Sequence, residues 1–187
     1  MKTIEEKIYD EVKRRCEAPT NEFGIGAWDH HIKIVYELAK KHASDYKADL
    51  EIVALAALLH DIASVTNIEY VEEHHIYGAK IAVELLKKEN YPQDRIDLIE
   101  KCILNHRGSR LHEKTSPEEI CIADCDAMAH FYSIPSLFSM VYKEKGLSID
   151  EGSKFVGDKL ERSYNKMSEK GKKLVLEQYN SIKKILN

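Results

Sequence analysis

Helical periodicity runs through almost all of this chain, and the strict alternation of a strand is nearly absent. Glycine (8) and proline (4) are too scarce to interrupt the pattern often. A Thr3-x-x-Glu6 capping box opens a first predicted helix over 3–17. Further helices are predicted over 29–44, 49–64, 72–89, 92–106, 116–132 and 135–145. Residues 148–184 read as one long helix or two consecutive ones, with Gly171 as a break. Pro19, Gly24 and Gly26 mark a loop over 18–27, and Gly108 marks another over 107–115. The expected fold class is all-α, a compact irregular helical bundle. No linker or shift in composition divides residues 1–187, so a single domain is expected.

Composition excludes several function classes. The longest apolar run, residues 52–59, is eight residues long, and a membrane span needs roughly 20. The net charge of −4 (28 basic against 32 acidic residues) gives no general attraction to nucleic acid or to an anionic membrane. The N-terminus is charged from Lys2 onward and lacks the apolar segment of a signal peptide, which points to the cytoplasm. Cys16, Cys102, Cys121 and Cys125 show no Cys-x-x-Cys spacing and read as buried free thiols.

The informative residues are polar groups on apolar stripes. Positions i, i+3/i+4 and i+7 share one helix face. On that basis His31 aligns with Val35 and Leu38, His60 with Val53, Ala56 and Ala57, and Asp61 with Ala54, Ala57 and Leu58. His74 aligns with Gly78, Ile81 and Leu85, His106 with Ile99 and Ile103, and Asp124 with Ile120, Ala127 and Phe131. Periodicity does not separate His74 from His75, which aligns equally well with Ala79, Ala82 and Leu86. Any one of these histidines reads as a hydrogen-bonded core residue. As a set they read differently, because buried carboxylates need a partner and no Lys or Arg shares these stripes. A divalent cation would satisfy all six. Imidazole with carboxylate suits Fe, Mn, Co, Ni or Zn.

The order His31, His60-Asp61, Asp124 resembles the defining pattern of the HD-domain metal-dependent phosphohydrolases. The flanks agree: Trp28-Asp-His-His31-Ile-Lys-Ile-Val35, Ala56-Ala-Leu-Leu-His60-Asp61-Ile, and Ile122-Ala-Asp124-Cys-Asp126-Ala127-Met. The likeness covers about residues 28–132. His74-His-Ile-Tyr-Gly78 and Ile103-Leu-Asn-His106 are similar to the additional histidine segments of the two-metal branch. The resemblance implies a helical bundle of the HD type. It implies His31, His60, Asp61 and Asp124 as ligands of a first metal, Asp61 as a bridge, and His74 and His106 on a second. The glycine spacing favours His74 over His75. Two departures bear on whether there are one or two ions: His106-Arg107 stands where many two-metal relatives have His-His, and Ile34 stands where many one-metal relatives have arginine.

The implied activity is hydrolysis of a small phosphate ester, a nucleotide by default, with water activated at the metal centre. Asp61 and Arg107 are the catalytic candidates, with Arg107 gripping phosphoryl oxygens as a bidentate guanidinium. Arg110 and Lys80 follow as weaker candidates. Asp126, two residues beyond Asp124, is expected to orient a histidine or the attacking water. His30 reads as a rim residue, and His42, His112 and His130 as ordinary ones. Two competing readings are a di-iron oxygenase on the same cage and a non-catalytic metal- or nucleotide-binding module. The long C-terminal helices offer a surface for a second copy of the chain.

Overall fold

The structure, a computed structural model, describes residues 2–107 and 114–186. Helix α1, Ile4–Glu17, starts on the predicted capping box, with Thr3 and Glu6 each accepting from the other's backbone. A five-residue π-turn, Trp28–Ile32, runs directly into α2, Lys33–Tyr46, which stops at Lys47 in the left-handed region (φ 59°). Asp49 caps α3, Leu50–Leu59, by accepting from the Glu51 and Ile52 amides. A 3₁₀ turn at Ile68–Tyr70 leads to α4, His74–Lys88, and α5, Gln93–Asn105, follows. Helix α6, Pro117–Tyr132, opens on a Ser116/Glu119 capping box. Then come α7, Ile134–Ser139, a second π-turn at Met140–Glu144, α8, Ile149–Lys166, α9, Glu169–Leu174, and α10, Leu176–Leu186. No strand occurs among the described residues, so the fold is all-α as expected.

Helix α3 is the hub. Every residue from Ile52 to Leu59 is buried, and α1, α2, α4, α5 and α6 all pack on it. Each large aliphatic side chain here contributes about 1.5–3 kcal/mol by leaving water. Helix α6 is buried on nearly every side, because α2, α3, α5, α8 and α9 all pack against it.

Two expected boundaries are corrected. The helix predicted over 49–64 ends at Leu59, and the chain then tightens into short-range turns, Ile62 to Leu59 and Ser64 to Asp61. Apolar patterning continues through Ile62, Ala63 and Val65, all buried, so periodicity could not see the end. The C-terminal region holds three helices rather than one or two: the chain breaks at Met167–Ser168, where Ser168 caps α9, and again at Val175, and Gly171 lies inside α9. The reason for this glycine is close packing: a Cβ there would sit 2.5 Å from the Asp124 carboxylate.

The four cysteines are buried and free. No helix among the described residues is long and apolar enough to cross a membrane.

Candidate metal centre

Helix ends do most of the work of assembling the site. His60 lies at the C-terminal end of α3 and Asp61 follows it. His106 lies at the end of α5, and His74 is the first residue of α4. His31 sits in the π-turn before α2, a local under-winding that often marks functional positions. Asp126 comes from the middle of α6. These six side chains form two trios, His31–His60–Asp126 and Asp61–His74–His106, with donor atoms in each trio within 4.8 Å of one another.

Asp61 joins the two trios. Its Oδ2 lies 3.2 Å from His31 Nε2 and 3.4 Å from His60 Nε2. Its Oδ1 lies 3.4 Å from His74 Nε2 and 3.9 Å from His106 Nε2. Asp126 Oδ1 closes the first trio, 3.4 Å from His31 Nε2.

The histidine tautomers follow from the backbone. His60 Nδ1 donates to the Ala57 carbonyl (2.7 Å), His74 Nδ1 to Val71 (2.7 Å) and His106 Nδ1 to Ile103 (2.6 Å). Each ring is thereby oriented, and a neutral ring keeps its Nε2 lone pair for the cluster. Yet Nε2 faces Nε2 at 3.1 Å between His31 and His60, and at 3.2 Å between His74 and His106. With Nδ1 of both rings donating to backbone, the His74–His106 contact sets lone pair against lone pair, which cannot bond; His31 has no such backbone anchor, and a proton on its Nε2 can bridge the other contact. A cation there resolves both contacts and neutralises the carboxylates, so the donor set fits divalent metal. Without such an ion a proton does part of the task. Burial opposes charge on His31, but Asp126 and Asp61 outweigh it and raise its pKa to about 9. Burial, then the nearby His60, lowers His106 to about 4. Burial also works against ionised Asp61 and Asp126. His60 and His31 nevertheless hold Asp61 well below the usual carboxylate range, and Lys166 with His31 does the same for Asp126.

The structure does not bring Asp124 to this cluster. It faces the other flank of α6, where Tyr46 Oη (2.7 Å), the Ser168 amide (2.9 Å) and the Ser168 hydroxyl all donate to it. The expectation that Asp124 would converge with the histidines and Asp126 stand behind them is therefore corrected: the two exchange places. His75 is not among the converging donors, which include His74.

The basic candidates fare differently from expectation. Arg107 is exposed and donates to the Glu72 carbonyl. Lys80 is exposed and lies over the Tyr77 ring, 5.5 Å from its centroid. Arg110 and His112 lie outside the described residues. His42 pairs with Asp45 (2.8 Å), and His30 lines the cleft described next. The cations beside the cluster come from α8 and were not anticipated. Lys166 reaches Asp126 Oδ2 (3.2 Å), and half-buried Lys159 lies within electrostatic reach of Asp126 and Asp61. His130, read from sequence as ordinary, stacks on His31 with centroids 5.8 Å apart and accepts or donates at Ser163 Oγ (3.0 Å). Burial, then Lys159, lowers it to about 3. Asp126 and Lys166 are 40 residues apart in sequence, so only tertiary structure could pair them.

His31 and Asp61 form part of the wall of a cleft of about 790 Å³. Phe23, Ile34, Val65, Leu137 and Met140 give it an apolar interior, and Asp29, Asp61 and Glu144 are its acids.

Comparison with known proteins gives the family. No curated protein matches the chain. A crystal structure described as a predicted HD superfamily hydrolase from an uncultured Thermotogales bacterium is similar, with a TM-score of 0.59 and 26% sequence identity. The match covers 82% of this chain and 83% of that one. The family model for the HD domain matches residues 28–130, a stretch that contains all six converging side chains. With more than half of its length accounted for in this way, the chain belongs to the HD-domain family.

Proposed function

We propose that the protein is a metal-dependent phosphohydrolase that cleaves a small phosphate ester at a two-ion centre. In this reading His31, His60 and Asp126 hold one ion, His74 and His106 hold the other, and Asp61 bridges them. The observation that carries it is the pair of opposed Nε2 contacts, 3.1 and 3.2 Å, straddled by the two oxygens of one carboxylate. When bound, the ions would supply Lewis acidity and bring the pKa of water from 15.7 to near 7.

The chain's own residues supply the rest. The Ala57, Val71 and Ile103 carbonyls hold three rings in register. Lys166 fixes the Asp126 carboxylate. The cleft beside His31 and Asp61 is within the usual size range of small-molecule sites, roughly 300–1,000 Å³, and its apolar walls suit an organic body such as a nucleoside. Arg107 drops out as the phosphate clamp in this reading, since its guanidinium is turned to a backbone carbonyl.

The test is metal analysis of the purified protein, then a phosphate-release screen over mono-, di- and cyclic nucleotides and simple phosphomonoesters. The expected result is up to two transition ions per chain and release from at least one ester. A protein that takes up no divalent ion at any pH, or that is loaded and inert across the screen, overturns the proposal. Oxygen uptake with a mixed-valent iron signal would replace it with oxygenase chemistry.

A further inference from the structure

One face of α8 lies against the cluster. Lys159, Ser163 and Lys166 stand at i, i+4 and i+7 and so share that face. Ser163 is buried, its hydroxyl 3.0 Å from His130 Nδ1, and the His130 ring stacks on His31. Lys166 bonds Asp126, whose other oxygen faces His31. The face is thus anchored at two points to the His31–Asp126 side of the centre, with Lys159 one turn before Ser163.

Lys166 has a carboxylate partner, whereas Lys159 makes no hydrogen bond or ion pair with any described residue. It is half-buried, and burial is the first influence lowering its pKa; Lys166 and Arg162 repel its charge, and Asp126 and Asp61 attract it. An ammonium withdrawn from water without a direct partner is unfavourable. A ligand's negative charge would supply that partner. Among the described residues the other basic candidates are engaged elsewhere: Lys166 bonds Asp126, Arg107 donates to the Glu72 carbonyl, Lys80 lies over Tyr77, and the walls of the cleft carry acids and no Lys or Arg.

We propose that Lys159 is the core of an anion subsite beside the metal cluster, which takes the phosphoryl oxygens not engaged by the ions. The subsite gives the substrate a polarity, with its anionic group against α8 and its uncharged body in the apolar cleft. This inference rests on the phosphohydrolase reading of the centre for its choice of anion.

The test is calorimetric titration of the metal-loaded protein with inorganic phosphate, with metal content measured in parallel. Loss of a charge-assisted contact predicts that Lys159→Met weakens phosphate binding by about ten- to a hundredfold. Metal content should not change, and Lys159→Arg should restore most of the affinity. Lys159→Gln provides a second charge-removing variant if the methionine variant melts abnormally. Phosphate binding that is equal in wild type and in both charge-removing variants overturns the subsite, as does a loaded wild type that binds no phosphate. A loaded wild type that binds phosphate through Lys159 but releases none from any ester leaves the subsite standing and overturns the hydrolase reading instead.

Discussion

The two flanks of α6 hold carboxylates in opposite ways. Asp124 and Asp126 stand two residues apart, 3% and 8% exposed. Asp124 is saturated by neutral donors, the Tyr46 hydroxyl from α2 and the amide and hydroxyl of Ser168 at the start of α9. Asp126 has one ammonium on Oδ2, and its other oxygen points at a ring nitrogen in a nest of acceptors. Burial is common to both, so burial cannot mark the ligand. What distinguishes the site is the chemistry around the carboxylate: donors that complete a structural joint on one side, and acceptors that only a cation can reconcile on the other.

The contrast breaks if the two aspartates prove interchangeable. The largest expected effect is on metal. Asp126→Asn and Asp61→Asn should each lower metal affinity by at least about a hundredfold, more than the loss usual for an outer-shell partner. Asp124→Asn should leave the metal content of the folded protein unchanged. Metal analysis after dialysis, compared across the three variants, decides between them. Retention of metal by Asp126→Asn with loss by Asp124→Asn would restore the assignment that the sequence pattern suggests.

The second effect is on stability, with the roles reversed. Asp124→Ala removes a buried acceptor and leaves the Tyr46 hydroxyl and the Ser168 amide and hydroxyl without it. The expected loss is about 3–5 kcal/mol, or roughly 6–20 °C in Tm for a chain of this size. Asp126→Ala in the metal-free protein should destabilise less, because its removal also relieves burial of a carboxylate whose oxygen is not saturated. Thermal melts with chelator present measure both. Equal losses would mean that the Ser168–Tyr46 joint has no special weight.

This same pair shows how far the sequence could be read. The helical class, the cap at Thr3 and five of the six converging side chains were legible, because a histidine or aspartate at the end of an apolar stripe is a local signal, with the family's glycine spacing choosing His74 over His75. The sixth was not. Periodicity identifies a ligand by the face it shares with the core, and α6 has no single core face. Asp124 aligned with Ile120, Ala127 and Phe131 because that flank is also buried, against α2 and α9. Lys159, Lys166 and His130 were illegible for a related reason. Their significance comes from the docking of α8 on α6, a contact between segments far apart in the chain. The end of α3 at Leu59 was hidden by buried turn residues whose composition still reads as helix.

Gly171 sharpens the contrast at smaller scale. In an exposed helix interior, glycine to alanine stabilises by about 1 kcal/mol. Here an added Cβ would meet Asp124 Oδ2 at 2.5 Å and Cγ at 2.7 Å, and that carboxylate is pinned by its three donors and cannot swing away freely. Gly171→Ala should therefore destabilise by about 1–3 kcal/mol, the usual range for overpacking, with metal content intact. A denaturant melt reads the sign directly. A stabilised variant would show that the Asp124 joint yields easily and that α9 is only loosely tied to α6.

The most local change isolates one of the three donors. Tyr46→Phe keeps the ring in its buried place and deletes only the hydroxyl, while Ser168 still supplies its amide and hydroxyl to the same carboxylate. Burial, then the charge of Asp124, pushes the Tyr46 phenol up, so at neutral pH it is a donor and not a second anion. Loss of one hydrogen bond to a charged group predicts about 1.5–3 kcal/mol, and the two remaining donors place the result toward the lower end. The same change combined with Ser168→Ala should exceed the sum of the single losses, because only the double variant strips the carboxylate of all its side-chain donors. A double-variant loss equal to the sum would mean that the two hydroxyls act independently on the Asp124 carboxylate.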